Sequence, residues 1–393
     1  MDAPDRRLKT AAELYANGRF ADAGALAGAL WQEGDRSPEL AILSGELALL
    51  RNRLGEAETA LRVALQALEG HPRLLALLAE TLRRGDRLAE AAEIYRGLGR
   101  TGMANKIGAL ATCGAYRLAG KQSEVRWLDG AGPPAVSARV NGREANLILD
   151  TGVGETLLDA ALARETGVAV QGAERIHFPS GPAGIVEHGI LDSLRLGGLE
   201  VESVPVQLHE TRAAFADLLP FPVDGVIGTG LFSRLHSTLD YQTRTLRLDA
   251  GRRLHDGEPL YLAGEQYPLV EARLNDRLDT LLFLDTGMSG TAIALPLSSA
   301  RIAGVDVALD ARGTGYGVGS TLDAHPMRCR EVRAAGSIQR NIEGMLMATF
   351  ALERRFGFRI GGLLGDGFVN RGVLELDFVA GLVRLRGVGA PPV

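Results

Sequence analysis

Two Asp-Thr-Gly triplets, Asp150-Thr151-Gly152 and Asp285-Thr286-Gly287, are the residues of this chain whose type and spacing best suit chemistry. Each follows three large apolar residues, Leu147-Ile148-Leu149 and Leu282-Phe283-Leu284. Each also precedes an apolar-apolar-Gly segment at nearly equal distance, Val226-Ile227-Gly228 (228 − 150 = 78) and Leu363-Leu364-Gly365 (365 − 285 = 80). A single triplet is an ordinary turn, but the joint pattern is specific. Two carboxylates a few ångströms apart cannot both ionise cheaply, so such a pair keeps one proton over a broad pH window. The ionised member can take a proton from water as that water attacks a carbonyl carbon. The protonated member can donate to the carbonyl oxygen as the tetrahedral intermediate forms. Neither a metal nor a covalent intermediate is needed, and the titration belongs to the pair rather than to one residue.

Other polar residues give weaker patterns. His177, His188 and His209 lack ligand spacing, and His325 with Cys329 has no second pair to complete a zinc site, so no metal and no cofactor are expected. Ser180 and Ser289 lie outside any Gly-x-Ser-x-Gly context. Asp240 and Asp377 occupy matching places in the repeat described next and are read as structural.

The triplets belong to a long internal repeat. Thr238-Leu239-Asp240-Tyr241 with Thr245-Leu246-Arg247-Leu248 follows the first apolar-Gly marker. Leu374-Glu375-Leu376-Asp377-Phe378 with Leu382-Val383-Arg384-Leu385 follows the second. Between triplet and marker, Leu194-Arg195-Leu196-Gly197-Gly198 aligns with Val332-Arg333-Ala334-Ala335-Gly336. Landmarks in one order, on strand-like apolar runs, imply two copies of a β-rich lobe. Each lobe carries a glycine-rich stretch, Phe178 to Gly184 and Gly313 to Gly319. These are candidate flaps, with Phe178, Gly181, Gly184, Tyr316 and Gly317 as candidate substrate contacts.

The opening third repeats differently. Phe20, Leu54 and Leu88 recur every 34 residues (54 − 20 and 88 − 54), and Ala23, Ala57 and Ala91 keep the same interval. Apolar residues between them fall at helical spacing, as in Leu40, Leu43, Leu47 and Leu50. Asp129-Gly130-Ala131-Gly132-Pro133-Pro134 cannot continue a helix. The division expected is a helical repeat domain over 1–128, a first lobe over 133–252 and a second over 253–393.

Residues 4–120 resemble the tetratricopeptide repeat family, with degenerate motifs. Residues 133–387 resemble the aspartic peptidases, in particular retropepsin-like lobes fused in one chain, of bacterial type. The resemblance implies a multidomain α plus β protein: a TPR-like α-solenoid, then an all-β bilobal peptidase of two barrel-like lobes. It makes Asp150 and Asp285 the catalytic dyad, with Thr151 and Thr286 cross-bonding the loops and Gly152 and Gly287 allowing close backbone approach. It also implies a peptide substrate and an interaction face on the array that recruits substrate or partner. Val153-Gly154 and Met288-Ser289 depart from the family, which has a small or hydroxylic residue directly after the triplet. A peptide-binding scaffold without catalysis is therefore the alternative.

Composition is that of a protein able to build cores, 46% hydrophobic and 23% charged. A net charge of −5 gives no electrostatic reason to bind nucleic acid. No apolar run is long enough for a membrane span. The start, Met1-Asp2-Ala3-Pro4-Asp5, lacks the pattern of a secretory leader, so a cytoplasmic site is expected, or a periplasmic or secreted one if a leader has been removed.

Overall fold

A computed structural model describes residues 3–130, 132–177, 183–308, 310–311, 313–317, 320–347 and 356–387. Seven helices open the chain: α1 (Ala3–Ala16), α2 (Phe20–Gln32), α3 (Pro38–Leu50), α4 (Leu54–Ala67), α5 (Pro72–Arg84), α6 (Leu88–Gly97) and α7 (Thr101–Cys113). Proline begins α3 and α5, where its missing N–H costs nothing. One turn is used three times. Gly18, Asn52 and Asp86 take a positive φ, and the arginine after each donates its N–H to the carbonyl oxygen of Leu14, Ala48 or Leu82, at 2.8–2.9 Å. Glycine, asparagine and aspartate tolerate that conformation best. The alanines at the 34-residue interval are buried, and at Gly45 any side chain would meet Leu61 at 2.9 Å, so neighbouring helices pack closely there.

The opening run of helices stops at Cys113, short of the break expected at 129–134. Residues Arg117–Ala119 and Gln122–Arg126 are already strands, the first paired with Leu199–His209 and the second with Thr245–Asp249. Alternating burial in Gln122–Arg126 suits a strand whose backbone partner comes from far along the chain.

The β region repeats its wiring. Strand Arg143–Leu149 runs into Asp150 and pairs in parallel with Gly225–Ile227; strand Leu278–Asp285 ends on Asp285 and pairs in parallel with Gly362–Gly365. Each apolar-Gly segment also pairs antiparallel with the strand that follows the triplet, Thr156–Asp159 or Ile293–Pro296. The repeated hairpins meet where His236–Asp240 pairs with Val373–Asp377, so a continuous sheet joins the two copies. Asp240 Oδ1 accepts the N–H groups of Gln242 and Thr243, and Asp377 Oδ1 those of Val379 and Ala380. Both aspartates thus close hairpin turns, the structural role read from the repeat.

The array packs against the lobes. Phe20 meets Tyr261 and Phe358 edge-on, with ring centroids 5.0 and 4.9 Å apart, and Tyr15 also packs on Phe358. Arg84 of α5 is buried and donates to the carbonyl oxygens of Leu49, Leu262 and Gly264. At α7, Gly102 approaches the strand Ala169–His177 so closely that a Cβ on Gly172 would lie 2.9 Å from Gly102 Cα. Residues of α1, α2, α5 and α7 thus all touch the lobes.

Candidate active site

Asp150 and Asp285 come together at the join of the two lobes, each at the end of a buried strand. The cross-bonding is reciprocal. Thr151 N–H donates to Thr286 Oγ1 and Thr286 N–H to Thr151 Oγ1, both at 3.0 Å. The Thr151 hydroxyl donates to the Leu284 carbonyl at 2.6 Å, and the Thr286 hydroxyl to the Leu149 carbonyl at 3.0 Å. Both threonines are completely buried, so these bonds face no competition from water. They fix each loop to the strand that carries the other aspartate.

The carboxylates take their donors from backbone. Gly152 N–H donates to Asp150 Oδ1 at 2.6 Å; Gly287 and Met288 N–H groups donate to Asp285 Oδ1 at 3.0 Å each. The hydroxyl missing at Val153 and Met288 thus leaves neither carboxylate without a donor. Any Cβ on Gly152 would sit 2.8 Å from Asp285 Oδ1 and 2.9 Å from Asp150 Oδ1, and one on Gly287 would overlap the Asp150 carboxyl group.

The two acids lie within hydrogen-bonding reach of each other. Burial, then the Asp285 charge, raises Asp150 well above the usual carboxylate range. Burial also raises Asp285, opposed by a hydrogen bond from Asp150 and by the Met288 and Gly287 N–H groups. This is the condition in which a pair holds one proton between two sites. A third carboxyl group, Asp366, follows the second apolar-Gly segment. Burial pushes it up to about 6 against hydrogen bonds from Gly290, Ser289 and Gly367, with the Asp285 charge adding to the rise. Gly290 N–H holds it at 2.7 Å. No sequence pattern had singled it out.

A second group missed by spacing lies behind the first triplet. Lys106 of α7 is fully buried and donates to Glu155 Oε2 at 2.6 Å, with His188 Nδ1 3.0 Å away. Glu155 lies on the segment leading out of the Asp150 loop, and His188 on the strand Ala183–Leu196. Burial raises Glu155, but Lys106, with His188 and Arg83, outweighs it and leaves the group below its usual range. Arg100 adds a forked pair to Glu174 at 2.9 and 3.1 Å. The signal was available: lysine is rare here, and Lys106 stands beside apolar helix positions.

The first candidate flap corresponds to the hairpin Ala169–His177 with Ala183–Leu196, in which Gly184 pairs with Ile176. Phe178 and Gly181 lie outside the described residues. The second corresponds to Gly313–Gly317 with Ser320–Ala334, pairing Tyr316 with Thr321 and Gly317 with Ser320; the Tyr316 side chain lies outside the described residues. Among the described residues no cluster of His, Cys, Asp or Glu has the makings of a metal site, and no helix is long and apolar enough to cross a membrane.

Residues 136–231, which hold the first triplet and its apolar-Gly marker, match the family model described as aspartyl protease. Solved structures similar to the chain include a retropepsin-like aspartic protease from Rickettsia conorii. It is 15% identical, with 34% of this chain and 93% of that chain covered and a TM-score of 0.24. Basic 7S globulin from soybean is 12% identical, covering 70% and 96%, with a TM-score of 0.39. No curated protein matches significantly. The β region is two copies of one lobe: the first carries the match to the aspartyl-protease model, the second repeats its wiring, and a helical array precedes them.

Proposed function

We propose that the protein is an aspartic endopeptidase in which Asp150 and Asp285 activate a water molecule against a peptide carbonyl. The observation that carries this reading is the reciprocal Thr151–Thr286 bonding, which brings two carboxyl groups with raised pKa together in one chain. The ionised acid takes the water's proton, while the protonated one donates to the carbonyl oxygen. As the intermediate collapses, the acid that took the water's proton gives it to the leaving amine, and the other takes back the proton on the former carbonyl oxygen, which resets the pair. The scaffold alternative drew on Val153 and Met288, and the backbone donors at both carboxylates weaken its basis. Cleavage of a partly unfolded protein mixture from acid to neutral pH tests the reading. Asp150→Asn and Asp285→Asn are each expected to lower the rate at least about a thousandfold, since the pair acts as a unit. Turnover that survives either change would refute it.

We assign the array an intramolecular role, because Tyr15, Phe20, Arg84 and Gly102 tie its helices to the lobes.

A further inference from the structure

A cavity of about 650 Å³ lies where the array meets both lobes. That volume is in the range of pockets that hold a small ligand or a short stretch of peptide. Helices α3, α5 and α7 wall it with Leu77, Arg83 and Met103 among others; lobe 1 supplies Gly154 and Glu155, and lobe 2 supplies Glu265. Gly154 is two residues beyond Gly152, so the cavity begins within about 7 Å of the dyad loop. An extended substrate covers that distance in about two residues.

Seven charged side chains line this space, and six are paired. Glu46 holds Arg73, Glu80 holds Arg83 at 2.8 Å, Arg100 holds Glu174 at 2.9 Å, and Glu155 holds Lys106 at 2.6 Å. Arg84 shares Glu80, but its guanidinium also bonds three carbonyl oxygens and does not line the cavity. The seventh, Glu265, has no hydrogen bond or ion pair from its carboxylate among the described residues. Its position is fixed nonetheless: the Thr229 hydroxyl reaches its carbonyl at 3.4 Å, and its Cβ packs where a side chain on Gly154 would intrude at 2.8 Å. Its charge is felt by Arg83, Tyr95 and Arg100, whose own charges, where present, already have carboxylate partners.

We propose that this cavity is a specificity subsite for a lysine or arginine side chain of the substrate, within about three residues of the scissile bond. The cation pairs with Glu265, and the alkyl stem lies along Leu77 and Met103, as long basic side chains pack on apolar walls. The array then sets substrate choice by forming the wall of a pocket rather than by recruiting a partner. The proposal rests on the peptidase reading of the dyad.

The test uses matched peptides with Lys or Met at each of three positions on either side of a cleaved bond. kcat/KM is measured for the wild type, Glu265→Gln and Glu265→Lys, and the affinity of the same peptides is measured with the wild type and Glu265→Gln, each carrying Asp150→Asn. One position is expected to favour Lys by about tenfold, the scale of a charge-assisted hydrogen bond. Glu265→Gln abolishes that preference in both readouts, and Glu265→Lys turns it toward an acidic residue. Equal cleavage of Lys and Met peptides, or a preference that survives Glu265→Gln, overturns the subsite while leaving the peptidase reading intact. Lys-dependent, Glu265-dependent binding without any cleavage upholds the subsite and refutes the peptidase reading. Absence of both refutes both.

Discussion

At Gly287 even a methyl group would collide with the Asp150 carboxyl group, and at Gly152 one would press on both acids. The dyad is therefore built as much by what these positions lack as by the aspartates themselves. Bringing the acids this close has a thermodynamic consequence. Both titrate higher in the folded chain than an exposed carboxyl group would. Their contribution to stability is therefore full below the ordinary carboxylate range and is lost as pH rises through the pair's own pKa values. Asp150→Asn removes the repulsion, so we expect it to stabilise the fold by about 1 kcal/mol at pH 7.5 and to change little at pH 3.5. Thermal melts at the two pH values check this, and an equal shift at both would contradict the electrostatic account. Glu265 belongs to the same scale: a carboxylate with no hydrogen bond or ion pair of its own among the described residues, near Arg83 and Arg100 that are held by other acids.

Among the elements, α7 bears most directly on the site. Its Lys106 is held by Glu155, five residues after Asp150, and lies beside His188 on the hairpin that also carries Glu174. Gly102 and Gly172 let this helix come close enough for those bonds to form. Lys106→Met keeps the length and apolar stem but strands the Glu155 carboxylate. Removing one partner of a buried pair costs about 3–5 kcal/mol, so a fall in Tm is expected. The pairing of Lys106→Met with Glu155→Gln should recover much of the loss, because no charge is then left buried alone. If α7 positions the Asp150 loop, kcat falls in the single variant and returns in part in the double. A kcat unchanged in Lys106→Met at a temperature where it remains folded would confine this lysine to stability.

For the whole molecule, the array packs into one body with the β lobes rather than standing apart as an appended module. Tyr15 and Phe20 share one apolar cluster with Tyr261, Leu281, Phe283 and Ile360. Residues 115–393 alone would expose that surface, and we expect the fragment to aggregate or to elute as a broad species in size-exclusion chromatography. A monodisperse, fully active fragment would show the array to be dispensable. The dyad, by contrast, is completed within one chain, with Thr151 and Thr286 bonding across the lobes.

The architecture was legible because it is periodic. The 34-residue interval marked the helical turns where Gly18, Asn52 and Asp86 take a positive φ, and the two apolar-Gly segments fell in register beside their aspartate strands. The wiring of the dyad loops was likewise legible, since local residues build each loop and the repeat supplies the second copy. Periodicity could not show that strands begin at Arg117, because the partners of Arg117–Ala119 and Gln122–Arg126 lie far along the chain. Nor could it find Lys106 with Glu155 and His188, or Asp366, or Glu265 on the cavity wall, whose meaning depends on neighbours from three separate parts of the sequence. The sequence by itself determined two β lobes, a helical array and the pair of acids, since these follow from local pattern and its repetition. Only the tertiary structure decided that the array packs on the lobes and encloses with them a cavity lined by charged residues, because burial and charge pairing between distant segments are set by packing.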